Sequence, residues 1–181
     1  MLKVAIVGNI ASGKSTVENI IQNKGFKVYD TDKIAHKILA SNKDVIKKFG
    51  TNNRQEIAKI VFSNPEKLKD LESIIHPLVK IELENIFSSN EGIIFISVPQ
   101  LFEAGFAPLF DKIIYITASK KIRLDRLMKR NSYTQAEALI RINAQKDKNK
   151  AINSHFVINN NGTISELEKK VQSILGSLKK I

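Results

Sequence analysis

The sequence predicts an α/β fold, a five-stranded parallel sheet with helices on both faces. Three observations carry this. Short β-branched runs alternate with segments of helical periodicity along the chain. The first run opens directly into Gly8-Asn9-Ile10-Ala11-Ser12-Gly13-Lys14-Ser15, a glycine-bounded loop followed by a helical pattern. The run GIIFISV at 92–98 is apolar without alternation, as expected of a central strand covered on both sides.

Each element follows from its own residues. The run 4–7, stopped by Gly8, reads as the first strand. Val17, Ile20 and Ile21 then recur at helical spacing, and Gly25 closes that helix. FKVYD, 26–30, reads as the second strand. From 32 to about 88 helical patterns dominate. One face holds Ile34, Ala35, Ile38 and Leu39; a second holds Ile57, Ile60, Val61 and Phe62; a third holds Leu68, Leu71, Ile74 and Ile75. Pro77 marks a helix break. The third strand, 92–98, ends at Pro99. KIIYIT, 112–117, is the fourth strand, followed by a helix through Arg123, Leu124, Leu127 and Met128. Residues 131–134 interrupt it, and Thr134 with Glu137 has capping-box spacing at the start of the next helix. HFVINN, 155–160, is the fifth strand. A closing helix, 164–178, turns Leu167, Val171, Ile174 and Leu175 inward.

Composition bounds the function. The chain has 181 residues, 43% of them hydrophobic and 26% charged, which suits one globular domain. It has no cysteine, which excludes disulfides and Cys-ligated metals and is compatible with a reducing cytoplasm. No run reaches the roughly 18 apolar residues of a membrane helix. The expectation is a soluble intracellular protein with no membrane partner. The net charge of +11 would steer anions in general, but zinc-finger spacing, an aromatic RNA-binding strand and a basic zipper helix are all missing from the sequence. No nucleic-acid partner is expected.

The loop at 8–15 matches G-x-x-x-x-G-K-[ST] at every fixed position and so defines the fold as that of a P-loop NTPase. Glycines allow the backbone to curl until successive N–H groups point at one anion. The following helix adds its N-terminal partial charge. Lys14 would reach the β- and γ-phosphates, and the Ser15 hydroxyl would bind Mg²⁺. Asn9, Ile10, Ala11, Ser12, Gly13 and Thr16 complete the expected ATP cradle.

After the second strand, Asp30 and Asp32 are two residues apart. In an extended segment they face the same way. One carboxylate there would orient metal-bound water and the other would accept a proton from an attacking hydroxyl. The structural alternative is that Thr31 or Asp32 caps the helix that follows. A guanine-reading N-K-x-D is lacking after any strand, and the third strand lacks the acidic residue usual in motor ATPases. Both absences favour a small-molecule kinase over a switch or a nucleic-acid motor.

GNIASGKSTV, VYDTDKIAHKIL, LESIIHPLV, VPQLFE, RLMKR, RINAQ and VINNNG, in this order and spacing, resemble the dephospho-CoA kinase family over about residues 3–175. The resemblance implies transfer of the γ-phosphoryl of ATP to the 3′-hydroxyl of the ribose of dephospho-CoA. It implies Asp32 as base or orienter for that hydroxyl and Asp30 as support for the metal or the acceptor. It further implies a helical CoA-binding lobe at 33–90 with His76 near the acceptor, and Pro99, Leu101 and Glu103 lining the acceptor side. A lid at 128–151 would bring Arg130 and Arg141 to the transferring phosphoryl. Lys129, Lys146, Lys148 and Lys150 add to its charge. Asn160 and Gly162 would lie beside the adenine. The chain departs from the family pattern at Ser97, where many relatives have Asp, at Gln100, Arg123 and His155, and in a shortened 50–54 loop. His36 and His155 read as structural. A monomer or weak homo-oligomer is expected.

Overall fold

The computed structural model describes residues 1–145 and 150–180. The backbone forms two compact units, Met1–Tyr29 with Gly92–Ile181, and Asp30–Glu91.

The first unit is built on a five-stranded sheet in the order β2-β3-β1-β4-β5. Its strands are β1 (Leu2–Gly8), β2 (Val28–Asp30), β3 (Ile93–Ser97), β4 (Lys112–Thr117) and β5 (Phe156–Asn159). β1 runs parallel to β3 and β4, and β4 parallel to β5. Successive strand residues point to opposite faces, and along β1, β3 and β4 both faces are closed. Val4, Ile6, Phe95, Ile114, Ile116 and Ile158 share one cluster with α1 (Lys14–Asn23) and α8 (Ile164–Leu178). Ala5, Val7, Ile94, Ile96, Ile113 and Tyr115, the alternate positions, are buried too. This explains the unbroken apolar runs: a strand covered on both sides has no solvent face on which to carry polar residues.

β2 is shorter than the 26–30 expectation. Phe26 is still engaged with the end of α1, its N–H donating to the Ile21 carbonyl at 3.3 Å, and its ring meets Phe95 edge-on. Only from Val28 is the chain a ladder strand. α6 (Lys120–Asn131) and α7 (Gln135–Asn143) complete the helices of this unit. Ser132, in the left-handed region at φ 54°, turns the chain between them. The capping box of Thr134 and Glu137 is present, and Thr163 with Glu166 forms a second one at the start of α8.

The second unit is helical: α2 (Thr31–Ser41), α3 (Lys43–Phe49), α4 (Arg54–Phe62) and α5 (Pro65–Ser88). Asn42, Asn53 and Asn64 each accept backbone N–H bonds as N-caps, which divides the helical stretch into its pieces. α2, α3 and α4 all pack on α5, and Leu39, Val45, Ile57, Ile75, Val79 and Leu83 are buried. Lys48 on α3 pairs with Asp70 on α5 at 2.9 Å. Two expectations are corrected. Pro77 lies inside α5 and does not end it; buried Ile75 and Val79 hold the helix on either side, so packing outweighs the lost hydrogen bond. Phe62, grouped on one apolar face with Ile57, Ile60 and Val61, is 92% exposed at the last residue of α4.

The Glu166 carboxylate accepts from the Thr163 N–H at 2.7 Å, and its pKa is held below the ordinary 4.5 chiefly by that backbone bond. The unfolded chain therefore protonates first on acidification. The contribution of the box is present above about pH 4.5 and is lost as pH falls through the lower folded value. Glu166→Ala is expected to melt below the parent protein at neutral pH, with the difference closing at acid pH; thermal denaturation across the pH range checks it.

Candidate active site

β1 delivers the phosphate loop from the centre of the sheet, with Val4, Ala5, Ile6 and Val7 fully buried. The loop closes on itself through the Ser12 N–H, which donates to the Asn9 carbonyl at 3.0 Å. Ala11 (φ 59°) and Gly13 (φ 96°) are left-handed, so the chain curls and turns its N–H groups toward one point. Asn9 and Ser12 are buried, so what they offer a ligand is backbone. Ser15 is exposed.

The helix end is the decisive feature. Every other α-helix, α2 to α8, has a side chain accepting from its first-turn N–H groups. Gly13 stands at the N-cap position of α1, and no side chain caps the helix. Its first-turn donors and its dipole are thus left for an anion. Lys14 adds a full positive charge. Its Nζ donates to the Glu18 carboxylate at 2.8 Å and to the Ser97 hydroxyl.

The loop is held from behind. The Asn160 Nδ2 donates to the Ser12 carbonyl at 2.8 Å, while the Asn160 N–H donates to the Thr117 carbonyl at the end of β4. Arg126 on α6 reaches the Ser12 carbonyl at 3.3 Å and the Asn160 carbonyl at 3.1 Å. Gln145, just past α7, accepts from the Ile10 N–H at 2.7 Å. Ile10 and Ala11 pack against a small core of Leu127, Ala138 and Ile142, joined by Leu124, Met128 and Tyr133. The helices of the expected lid therefore share a core with the loop itself. A side chain at position 13 would place its Cβ 2.2 Å from the Asn160 amide, so glycine is needed for close approach as well as for φ.

The other expected residues fall as follows. Asn160 buttresses the loop backbone. At Gly162 a Cβ would meet the Glu166 carboxylate at 1.9 Å; the glycine makes room for the capping box of α8. Arg141 stacks its guanidinium 4.5 Å from the centre of the Tyr133 ring, and Arg130 donates to the Asn131 side chain at 2.9 Å. Lys146 and Lys148 lie outside the described residues. Lys150 is buried and pairs with Glu103 at 2.9 Å. Leu101 is fully buried, and Pro99 is partly exposed.

In the second unit Asp30, not Thr31 or Asp32, caps α2: its carboxylate accepts from the Asp32 N–H at 2.8 Å. Asp32 is an exposed residue of the first turn. His76 lies partly buried within α5. His155 Nδ1 accepts from the Ile113 N–H at 3.2 Å, the structural role expected of it.

The sequence reading gives Arg126 and Gln145 no role. Arg126 opens the quoted RLMKR segment, where it is one of several basic residues of that helix. Gln145 belongs to the quoted RINAQ segment, which was the available signal.

A parallel sheet, a phosphate loop closing on an uncapped helix and a lysine at its first residue define a P-loop nucleotide-binding protein. Shikimate kinase from Acinetobacter baumannii shares this fold at a TM-score of 0.57 and 16% identity, over 98% of this chain and 94% of that one. The family model described as "Dephospho-CoA kinase" matches residues 2–166, and the chain belongs to that family. Dephospho-CoA kinase of Carboxydothermus hydrogenoformans is 38% identical over 95% of this chain and 92% of its own. That of Listeria innocua is 35% identical over 95% and 94%. Among solved structures, a Thermus thermophilus protein aligns with a TM-score of 0.86 at 31% identity, covering 98% of this chain and 97% of that one. Dephospho-CoA kinase from Campylobacter jejuni aligns at 0.74 and 28%, over 98% and 97%. The chain is thus an enzyme, a kinase.

Asn160→Ala would remove one of the two donors to the buried Ser12 carbonyl and leave Arg126 in place, a cost of about 0.5–1.5 kcal/mol. The expected result is a modest loss in denaturant stability together with a several-fold rise in KM for ATP. Unchanged KM would show that the loop holds its shape without Asn160.

Proposed function

We propose that the chain transfers the γ-phosphoryl group of ATP to the 3′-hydroxyl of the ribose of dephospho-CoA, giving CoA and ADP, the final step of CoA biosynthesis. The observation that carries this is the uncapped α1 N-terminus with Lys14 beside it, in a chain of the dephospho-CoA kinase family. The loop N–H groups and Lys14 grip the polyphosphate. Asp32 takes the proton of the acceptor hydroxyl. The oxygen then forms its bond to the γ-phosphorus as the bond to the β–γ bridging oxygen breaks, and ADP leaves. That Asp30 caps α2 supports this role, because the capping alternative no longer accounts for Asp32.

The exposed Ser15 hydroxyl is an oxygen donor suited to a hard divalent cation. Among the described residues there is no cluster of three or more carboxylates and histidines. This fits Mg²⁺ held mainly by substrate phosphates with Ser15 as protein ligand. When bound, the ion offsets charge on the β- and γ-phosphoryl oxygens. Residues 33–90 bind the CoA portion, with His76 near the acceptor, and Pro99 and Glu103 belong to the acceptor side. Residues 128–151 form the lid, from which Arg130 and Arg141 neutralise the transferring group. Arg141 would leave its Tyr133 stack to do so. Asn160 and Gly162 stand beside the adenine. The enzyme works in the cytoplasm as a monomer or weak homo-oligomer.

The test is a coupled assay of purified protein with ATP, Mg²⁺ and dephospho-CoA, with the product weighed by mass spectrometry. A product other than CoA, or turnover only with a different hydroxyl acceptor, would overturn the assignment. Lys14→Ala is expected to abolish turnover. Asp32→Asn should fold and bind ATP yet lose kcat by roughly 10²–10⁴-fold, the usual contribution of a general base. Arg141→Ala should lower kcat more than it weakens ATP binding.

A further inference from the structure

The ion pair on Lys14 carries a consequence beyond the cradle. Lys14 and Glu18 are one helical turn apart on α1, and their side chains are 17% and 14% exposed. Lys14 is also the donor to Ser97, the neutral residue at the end of β3. The carboxylate that balances the loop lysine is therefore supplied by α1 itself.

A triphosphate and Glu18 compete for the same ammonium group. When Lys14 turns to the phosphate oxygens, Glu18 cannot withdraw with its backbone. The neighbouring α1 residues Val17, Ile20 and Ile21 are fixed in the core under the sheet. A mostly buried carboxylate then remains beside a polyanion, without the cation that had balanced it. Burying an uncompensated charge is costly. A divalent cation carried in with the polyphosphate offsets both anions; a metal-free triphosphate does not.

We propose that Glu18 is a positioning residue that acts through Lys14 and makes nucleotide binding depend on the accompanying divalent cation. It disfavours metal-free triphosphate and admits the metal-loaded form. This rests on the reading of the loop as an ATP cradle, and the test separates the two.

Dissociation constants of a non-hydrolysable ATP analogue are measured by calorimetry, with excess Mg²⁺ and with a chelator, for the parent protein and for Glu18→Gln. In the variant, metal-free binding should tighten by about tenfold, the size of one charge-assisted hydrogen bond, while Mg²⁺-loaded binding shifts far less. The ratio of metal-free to Mg²⁺-loaded constants should therefore fall. Glu18→Ala, which removes the charge with a different shape, should move the ratio in the same direction, with circular dichroism confirming that both variants are folded. An unchanged ratio in both folded variants, with the parent binding normally, overturns the role of Glu18 alone. If the parent protein binds the analogue neither with Mg²⁺ nor without it, the ATP-cradle reading falls and this proposal falls with it.

Discussion

The structure of the sheet unit turns on one constraint: a run of backbone N–H groups must be kept pointing inward before any anion arrives to satisfy them. A helix end without a cap is an unfavourable object, and this chain caps every α-helix but the first. The loop retains its curl because its own carbonyls and outer N–H groups are engaged from the rear. Asn160 and Arg126 hold the Ser12 carbonyl, and Gln145 takes the Ile10 N–H. Ile10 and Ala11 are pressed into the small core of α6 and α7. Preorganisation of this kind places donors where charge will develop, so little reorganisation is needed at the moment of transfer.

Much of this was legible in the sequence, for identifiable reasons. The strands β1, β3 and β4 declared themselves because burial on both faces leaves an unbroken apolar run, and the phosphate loop because its glycines and lysine are each required by local geometry. The Thr134–Glu137 box was visible for the same reason: a cap is a local interaction with a fixed spacing. The Thr163–Glu166 box obeys the same rule and was equally readable.

What the sequence hid depends on partners distant along the chain. Pro77 looks like a break because a proline in isolation opposes a helix, yet the buried residues on either side decide the outcome. Arg126 and Gln145 lie in the quoted RLMKR and RINAQ segments, but their bonds to the loop follow only once α6 and α7 are seen to lie against it. Gly162 shows the reverse case: a residue assigned to the nucleotide by resemblance also has a steric reason to be glycine, since the Glu166 carboxylate occupies the space where its Cβ would stand.

Two distant anchorages tie the end of α7 and the stretch before β5 to the rest of the sheet unit. Gln145 is moored to the phosphate loop and Lys150, a buried cation, to Glu103 beyond β3. Losing the first anchorage would leave a loop amide without its acceptor, and losing the second would strand a charge that has little access to water.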